Sequence, residues 1–246
     1  MLDIVTVTKD DFAGCKRTLD STERLRAAYP VRQIVIDSSG AEDAAAVRVL
    51  CSARKSVDYF WTRPEGVSKG YNDGLERATG EWVWFLNGGD WLYDKIDIGV
   101  VWYLLSQTRA SALAFYVIDR NGHVPEFPPL PFLWPPVYVW MPFSSTFLRT
   151  RAVRDAGGFD VSFKVVMDGE FWFRLLNKRA VKLNLVSLPL TGVALEGLSG
   201  DKVATGRECL MMLRRHRFTI FERWLQSGLR YFEAARRYRR RIRKYS

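Results

Sequence analysis

The chain has 246 residues, 48% of them hydrophobic and 14% aromatic, which excludes a disordered protein and supplies enough apolar material for one sizeable α/β core. The net charge of +10 sits at one end: residues 214–246 carry twelve Lys/Arg against Glu222 and Glu233, whereas residues 1–213 hold 25 basic and 25 acidic side chains. A neutral body is unlike a protein that grips nucleic acid with its whole surface, and the basic end predicts a separate surface-binding element. The opening MLDIVTVTKDD turns polar after seven residues, unlike a secretion signal. Residues 2–7 (LDIVTV) and 32–37 (RQIVID) read as buried strands separated by a helix, a β-α-β unit. Cys15 and Cys51, with Cys209 much later, are odd in number and lack C-x-x-C or zinc-ligand spacing, so a reducing compartment fits best.

The pattern repeats with Asp58-Tyr59-Phe60-Trp61, a helix-like Gly70–Ala78, the strand Trp82–Leu86, and Ala112–Val117. Near-continuous apolar strands alternating with helices predict a mostly parallel sheet covered on both faces, with ligands at the carboxyl ends of its strands. Asp37 and Asp90 both lie at such ends; Asp90 closes the turn Asn87-Gly88-Gly89-Asp90. Residues 121–143 are rich in Pro and aromatics without a period, which predicts a long loop and excludes a membrane-spanning helix there. An apolar run follows at 144–149, then a short helix over 151–156, a turn at Gly157-Gly158-Phe159-Asp160, a helix over Asp168–Asn177, a late strand Val181–Leu185, and helix from Lys202 onward. Phe218, Phe221, Leu225, Leu229 and Phe232 place an apolar stripe along an Arg-rich helix. The division expected is therefore a main domain over 1–213 and a basic amphipathic tail over 214–246. His123 and His216 are expected to be loop and surface residues.

In this order the pieces resemble glycosyltransferase family 2, sugar transferases of GT-A fold, and in particular the short bacterial colanic-acid or exopolysaccharide type. The resemblance spans about residues 2–216. It is carried by the first strand ending Thr6-Val7-Thr8, by IVIDSSG (34–40), by RPEGVSKGYNDGLERATGEW (63–82), by FLNGGDWL (85–92), by MDGEFWFRLL (167–176), and by EGLS (196–199) followed by Arg207-Glu208. Four positions depart from the family pattern: Asn87 stands where many members have a first carboxylate, Phe143 where relatives often place a histidine, and Lys69 and Tyr71 where charge varies.

The resemblance implies a GT-A sheet, a UDP-sugar donor, a divalent cation (Mn²⁺ or Mg²⁺), and single displacement with inversion. It implies Asp37 as reader of the base, with Thr6, Thr8, Ser39, Asn72, Asn87, Gly88 and Gly89 around the nucleotide. Asp90 is the expected metal ligand and Asp168 the expected base, with Glu170 a second choice; Glu170, Arg174 and Ser199 are placed in supporting or acceptor roles. The residues suit these tasks independently. A carboxylate accepts the imide N–H of uracil well, glycines let backbone approach phosphates, and an alcohol needs a base to become a nucleophile. The expected partners are a lipid-linked glycan acceptor and, through the tail, an anionic membrane surface at the cytoplasmic face of a bacterial membrane. A nucleotidyltransferase would need a Gly-rich basic loop after the first strand, which Thr8-Lys9-Asp10-Asp11 is not, and a nucleic-acid binder would extend its basic surface onto the body.

Overall fold

The computed structural model describes residues 1–119, 143–177, 182–193 and 202–216. Its first part alternates strand and helix: β1 (Leu2–Thr8), α1 (Phe12–Ala28), β2 (Val31–Asp37), α2 (Ala41–Ser52), β3 (Val57–Trp61), α3 (Val67–Arg77), β4 (Trp82–Phe85). There follow β5 (Trp91–Leu92), α4 (Ile98–Gln107), β6 (Ala112–Ile118), β7 (Thr146–Arg149), α5 (Thr150–Asp155), α6 (Met167–Asn177), β8 (Leu183–Gly192) and α7 (Lys202–Arg215). All eight strands form one sheet in the order β3-β2-β1-β4-β7-β6-β8-β5. The pairs among β1 to β4 are parallel, and so is β6 with β8; β7 runs against β4 and β6, and β5 against β8. This is the mixed, mainly parallel α/β architecture that the alternation predicts.

Both faces of the sheet are covered, which is why its central strands lack polar alternation. On one face Val5, Val83 and Phe85 pack with Tyr71 and Leu75 of α3, Val153 of α5 and Phe171, Trp172 and Leu175 of α6. The other face carries Trp82 and Trp84 against Leu25 of α1 and Val101 and Leu105 of α4, with Leu19, Val35, Val47 and Cys51 forming a further cluster under α1 and α2. The four-residue run Trp82–Phe85 is thus buried in alternate directions, and truncating either large ring would cost about 3–5 kcal/mol. Two glycines set the height of α3 above β1: a Cβ on Gly74 would lie 2.2 Å from Val5 Cγ1, and one on Gly70 would lie 3.0 Å from Val7. No larger residue fits at Gly74 while α3 keeps this depth.

The buried stripe of α1 is partly polar, Cys15, Thr18, Leu19, Thr22, Leu25 and Arg26. Its lower half meets Gln33 of β2, whose Oε1 accepts from Thr22 (2.7 Å) and Arg26 (2.5 Å) and whose Nε2 donates to Thr6 Oγ1 (2.9 Å). Burial lowers the Arg26 guanidinium to about 10. The expected helix over 151–156 and the helix at Asp168–Asn177 are present as α5 and α6. The late strand is longer than expected, running to Gly192 through a bulge that accommodates Pro189 opposite Tyr116. The 121–142 part of the expected loop, His123, Ser199 with EGLS, and tail residues 217–246 lie outside the described residues. Among the described residues no helix is long and apolar enough to cross a membrane.

Candidate active site

The carboxyl ends of β1, β2 and β4 lie side by side, with Thr8 opposite Asp37 in register. Beyond β4 the chain turns at Asn87-Gly88-Gly89-Asp90. Gly88 N–H donates to Val7 O at 2.9 Å, holding the turn against β1, and a Cβ on Gly88 would come within 3.0 Å of Thr8 Oγ1. Gly89 has φ +99°, the left-handed region that favours glycine. The two glycines are therefore needed by the turn itself. Asn87 Oδ1 accepts from the Tyr71 hydroxyl at 2.7 Å, and Thr18 Oγ1 lies 2.6 Å from Asp90 O. Asp11 borders the same turn: its Oδ1 caps α1 by accepting from Gly14 N–H at 2.8 Å, and its Oδ2 would stand 3.7 Å from a Cβ on Gly89.

Asp168 opens α6 from across the site. Its Oδ1 accepts from Gly169 N–H at 2.7 Å. Burial raises the carboxyl above its ordinary value, against the lowering influence of the Gly169 and Asp168 N–H groups. Tyr71 lies between the two acids in an electrostatic sense: burial first, and then the charges of Asp90 and Asp168, push its phenol far above the usual tyrosine range. Two carboxylates expected from sequence to act together, one after β4 and one on α6, thus bear on one buried ring.

Asp37 is placed differently from the expectation of a base reader. It is fully buried; its Oδ1 accepts from Ser39 N–H (2.8 Å) and Ser39 Oγ (2.5 Å), and its Oδ2 accepts from the Tyr59 hydroxyl at 2.9 Å. The carboxylate holds the Ser38-Ser39-Gly40 turn and does not face outward. Gln33, Val35 and Asp37 alternate onto the α1 and α2 side of β2, so strand parity turns the acid inward. The Ser38 hydroxyl, half-buried and 3.3 Å from Thr62 Oγ1, is what this turn leaves near the surface. Ser39 also serves the turn, its Oγ accepting from Asp10 N–H at 2.7 Å. Thr6 is likewise fully buried, one strand step too deep, in the Gln33 network. Thr8, at the end of β1, is also buried, with its hydroxyl 3.5 Å from Asp11 O.

Asn72, Glu170 and Arg174 have structural tasks. Asn72 exchanges two hydrogen bonds of 2.8 Å with the backbone N–H and C=O of Phe159, which uses both ends of its amide and ties α3 to the Gly157-Gly158 turn. Glu170, buried on α6, receives Arg174 through Nε (2.6 Å) and Nη2 (2.7 Å), and Arg174 continues to Ala156 O and Gly158 O. A carboxylate so occupied is unsuited to serve as the second-choice base. His216 is no bare surface residue: its Nε2 meets Glu170 Oε1 at 2.9 Å and its ring packs on Phe173 with centroids 4.8 Å apart. Glu208 of α7 accepts the successive N–H groups of Lys164, Val165 and Val166 at 2.9, 2.8 and 2.9 Å, fixing the segment that delivers Asp168. Phe143 fills an aromatic cluster with Phe85, Phe159 and Phe171.

Among the described residues no three His, Cys, Asp or Glu side chains gather into a ready-made cation cage. The turn instead offers hard oxygen chemistry in the Asp90 carboxylate and a second acid, Asp11, whose Oδ2 would stand 3.7 Å from a Cβ on Gly89. That set fits a cation taking most of its ligands from phosphates and water, as Mg²⁺ and Mn²⁺ do.

Comparison with known proteins places the family and the fold. An uncharacterized glycosyltransferase of Mycobacterium tuberculosis (strain CDC 1551 / Oshkosh) is 26% identical over 178 residues, which cover 70% of this chain and 67% of the relative. Among solved structures, residues 1–349 of S. aureus TarS in complex with UDP-GlcNAc superpose with a TM-score of 0.63 at 16% identity, covering 82% of this chain and 60% of that one. A mannosyltransferase of Pyrobaculum calidifontis in complex with GDP-Man and Mn²⁺ gives 0.62 at 13% identity, covering 87% and 63%. At such identities these two likenesses are of fold, and the chain spans about 60% of their lengths. The family model described as glycosyl transferase family 2 matches residues 3–171, from the first residues of β1 through the glycine turn to Phe171 on the helix of Asp168, and the chain belongs to that family.

Proposed function

We propose that the chain is an inverting, metal-dependent glycosyltransferase that moves a sugar from a UDP-sugar to a hydroxyl of a lipid-linked glycan. The observation that carries this reading is the Asn87–Asp90 turn at the carboxyl ends of parallel strands, bonded to Tyr71, which packs in one cluster with Met167 and Phe171 on either side of Asp168. The complexes of TarS with UDP and UDP-GlcNAc, and of the mannosyltransferase with GDP-Man and Mn²⁺, favour a nucleotide sugar as donor. The acceptor hydroxyl gives its proton to the Asp168 carboxylate as its oxygen bonds to the anomeric carbon; the bond from that carbon to the diphosphate oxygen breaks, and its electron pair leaves with the diphosphate. A base with a raised pKa suits this task, because its conjugate acid holds the proton more firmly. Asp90, with Asp11 nearby, would hold the cation, and a bound cation offsets charge developing on the diphosphate. The base would be met by the rim formed by Ser38 and Thr62. The lipid-linked acceptor and the cytoplasmic face of a bacterial membrane are supported by the composition of 214–246, whose basic residues would each contribute on the order of 1 kcal/mol at an anionic leaflet. Thermal stabilisation across a panel of UDP-, GDP- and dTDP-sugars, with and without Mn²⁺, tests the donor reading: stabilisation by a UDP-sugar only with the metal supports it, and none by any member overturns it.

A further inference from the structure

We propose that Thr18, on α1 and 72 positions from Asp90 in sequence, is the positioning residue that sets the Asp90 turn for the cation; this rests on the reading of Asp90 as metal ligand. Thr18 is fully buried. Around its Oγ1 stand Gly89 N–H (3.0 Å, donating to it), Asp90 O (2.6 Å), Asn87 O (3.1 Å) and Gly14 O (3.1 Å). A hydroxyl has one proton and two lone pairs, so it accepts from Gly89 and gives its hydrogen to one carbonyl. Asp90 O is the shortest of the three, at the normal length of an O–H···O bond. One oxygen atom therefore binds the N–H just before Asp90 and the C=O of Asp90 itself.

An ordinary helical threonine would be satisfied by Gly14 O one turn back, and nothing in the helix requires the reach to residues 89 and 90. The turn, by contrast, needs a selector, since Gly89 at φ +99° has many alternative conformations. The next hydroxyl along α1 completes the bracket: Ser21 Oγ accepts from Leu92 N–H at 3.0 Å and donates to Thr18 O at 2.8 Å. The backbone on both sides of Asp90 is thus held by side chains of one helix, whose own start is fixed by the Asp11 cap. A cation held by so few protein ligands depends on how well each is set, and loss of a supporting contact to a ligand typically costs about 10–100-fold in metal affinity.

The test compares Thr18→Val, Thr18→Ser and Asp90→Ala in the full chain, well below their melting temperatures. It reads the Mn²⁺ concentration giving half-maximal UDP binding in calorimetry and amide hydrogen exchange at Gly89. Thr18→Val should raise the Mn²⁺ requirement about 10–100-fold and speed exchange at Gly89, and Thr18→Ser should restore both to near the parent. A Thr18→Val protein that melts earlier yet keeps the parental Mn²⁺ requirement and Gly89 exchange overturns the proposal. Asp90→Ala separates the two readings: if it abolishes Mn²⁺-dependent UDP binding, the ligand assignment stands whatever Thr18 does. If Asp90→Ala leaves Mn²⁺-dependent binding intact, that assignment fails and the proposal for Thr18 with it. A parent that shows no Mn²⁺-dependent binding of UDP overturns both.

Discussion

The phenolic hydroxyl of Tyr71 donates to Asn87 Oδ1 at 2.7 Å, joining α3 to the glycine turn from the side opposite Thr18. Tyr71 also packs into the core at tilted angles, 4.7 Å from Phe85 and 5.0 Å from Phe159 between ring centroids. Tyr71→Phe keeps the ring and removes only the hydrogen bond. The expected loss of stability is about 1 kcal/mol, read from the denaturant midpoint, together with weaker metal-dependent nucleotide binding. Unchanged binding with the same loss of stability would show that Asn87 needs no support from α3.

Asp168 gives a signed pH dependence. Burial raises its folded pKa above the ordinary 3.8, so the folded protein holds the proton more tightly than the unfolded chain. Stability from this group is present below the unfolded pKa and is lost as pH rises through the folded one. Asp168→Asn, which cannot ionise, should match the parent in acid and become the more stable protein as pH climbs above about 4. Turnover should fall about 10²–10⁴-fold with donor binding retained. Parallel stability curves across pH, or full transfer activity in the variant, would rule out a titrating base at this half-buried position.

Glu170 and Arg174 form a near-buried bidentate pair, with 1% and 21% of their side chains exposed. Removing one member leaves the other charge without its partner, so Glu170→Ala should cost about 3–5 kcal/mol. Because both carboxylate oxygens of Glu170 receive Arg174, the protein that remains folded should keep the parental pH–rate profile. A shifted profile in Glu170→Gln would return this residue to the chemistry.

Asp37 supports a turn, and its replacement should be read first as a folding defect. Asp37→Ala strips acceptors from Ser39 N–H and Ser39 Oγ, at about 1–3 kcal/mol for each group left buried and unpaired, while Tyr59 Oη keeps Ala44 O at 3.1 Å. Calorimetry with UDP and chemical denaturation on the same sample separate the outcomes: a large loss of affinity without a loss of stability would restore Asp37 as a direct base contact.

The sheet was legible because strands buried on both faces leave uninterrupted runs such as Trp82–Phe85, and α3 and α6 were legible from their apolar spacing. The helices α2 and α4 were not anticipated, since Ala41–Ser52 is weakly patterned and Ile98–Gln107 is apolar almost all round. The two-residue β5 has no local signal at all. Within the candidate site, the facing of the acids was not legible in sequence. The inward turn of Asp37 follows from strand parity combined with the helices that cover it, and the clasp of Glu170 by His216 joins residues 46 positions apart. Thr18 and Tyr71 are ordinary core-facing helix residues by pattern; their importance lies in hydroxyls directed at a turn 69 and 16 residues away.

The grip of α7 on the segment before Asp168 has a consequence for the order in which the protein is made. Everything around the glycine turn is complete in the chain by Leu92, so a ribosome-bound nascent chain can assemble that half early. The N–H groups of 164–166 lack the Glu208 carboxylate until α7 emerges, and Asp160 and Glu170 wait for Arg215 and His216. A chain ended at residue 200 should therefore retain metal-dependent nucleotide binding while lacking transfer, with rapid amide exchange at 164–166. Competence to hold the donor would precede competence to spend it, and the last turn of α7 would be the point in synthesis at which the enzyme becomes active.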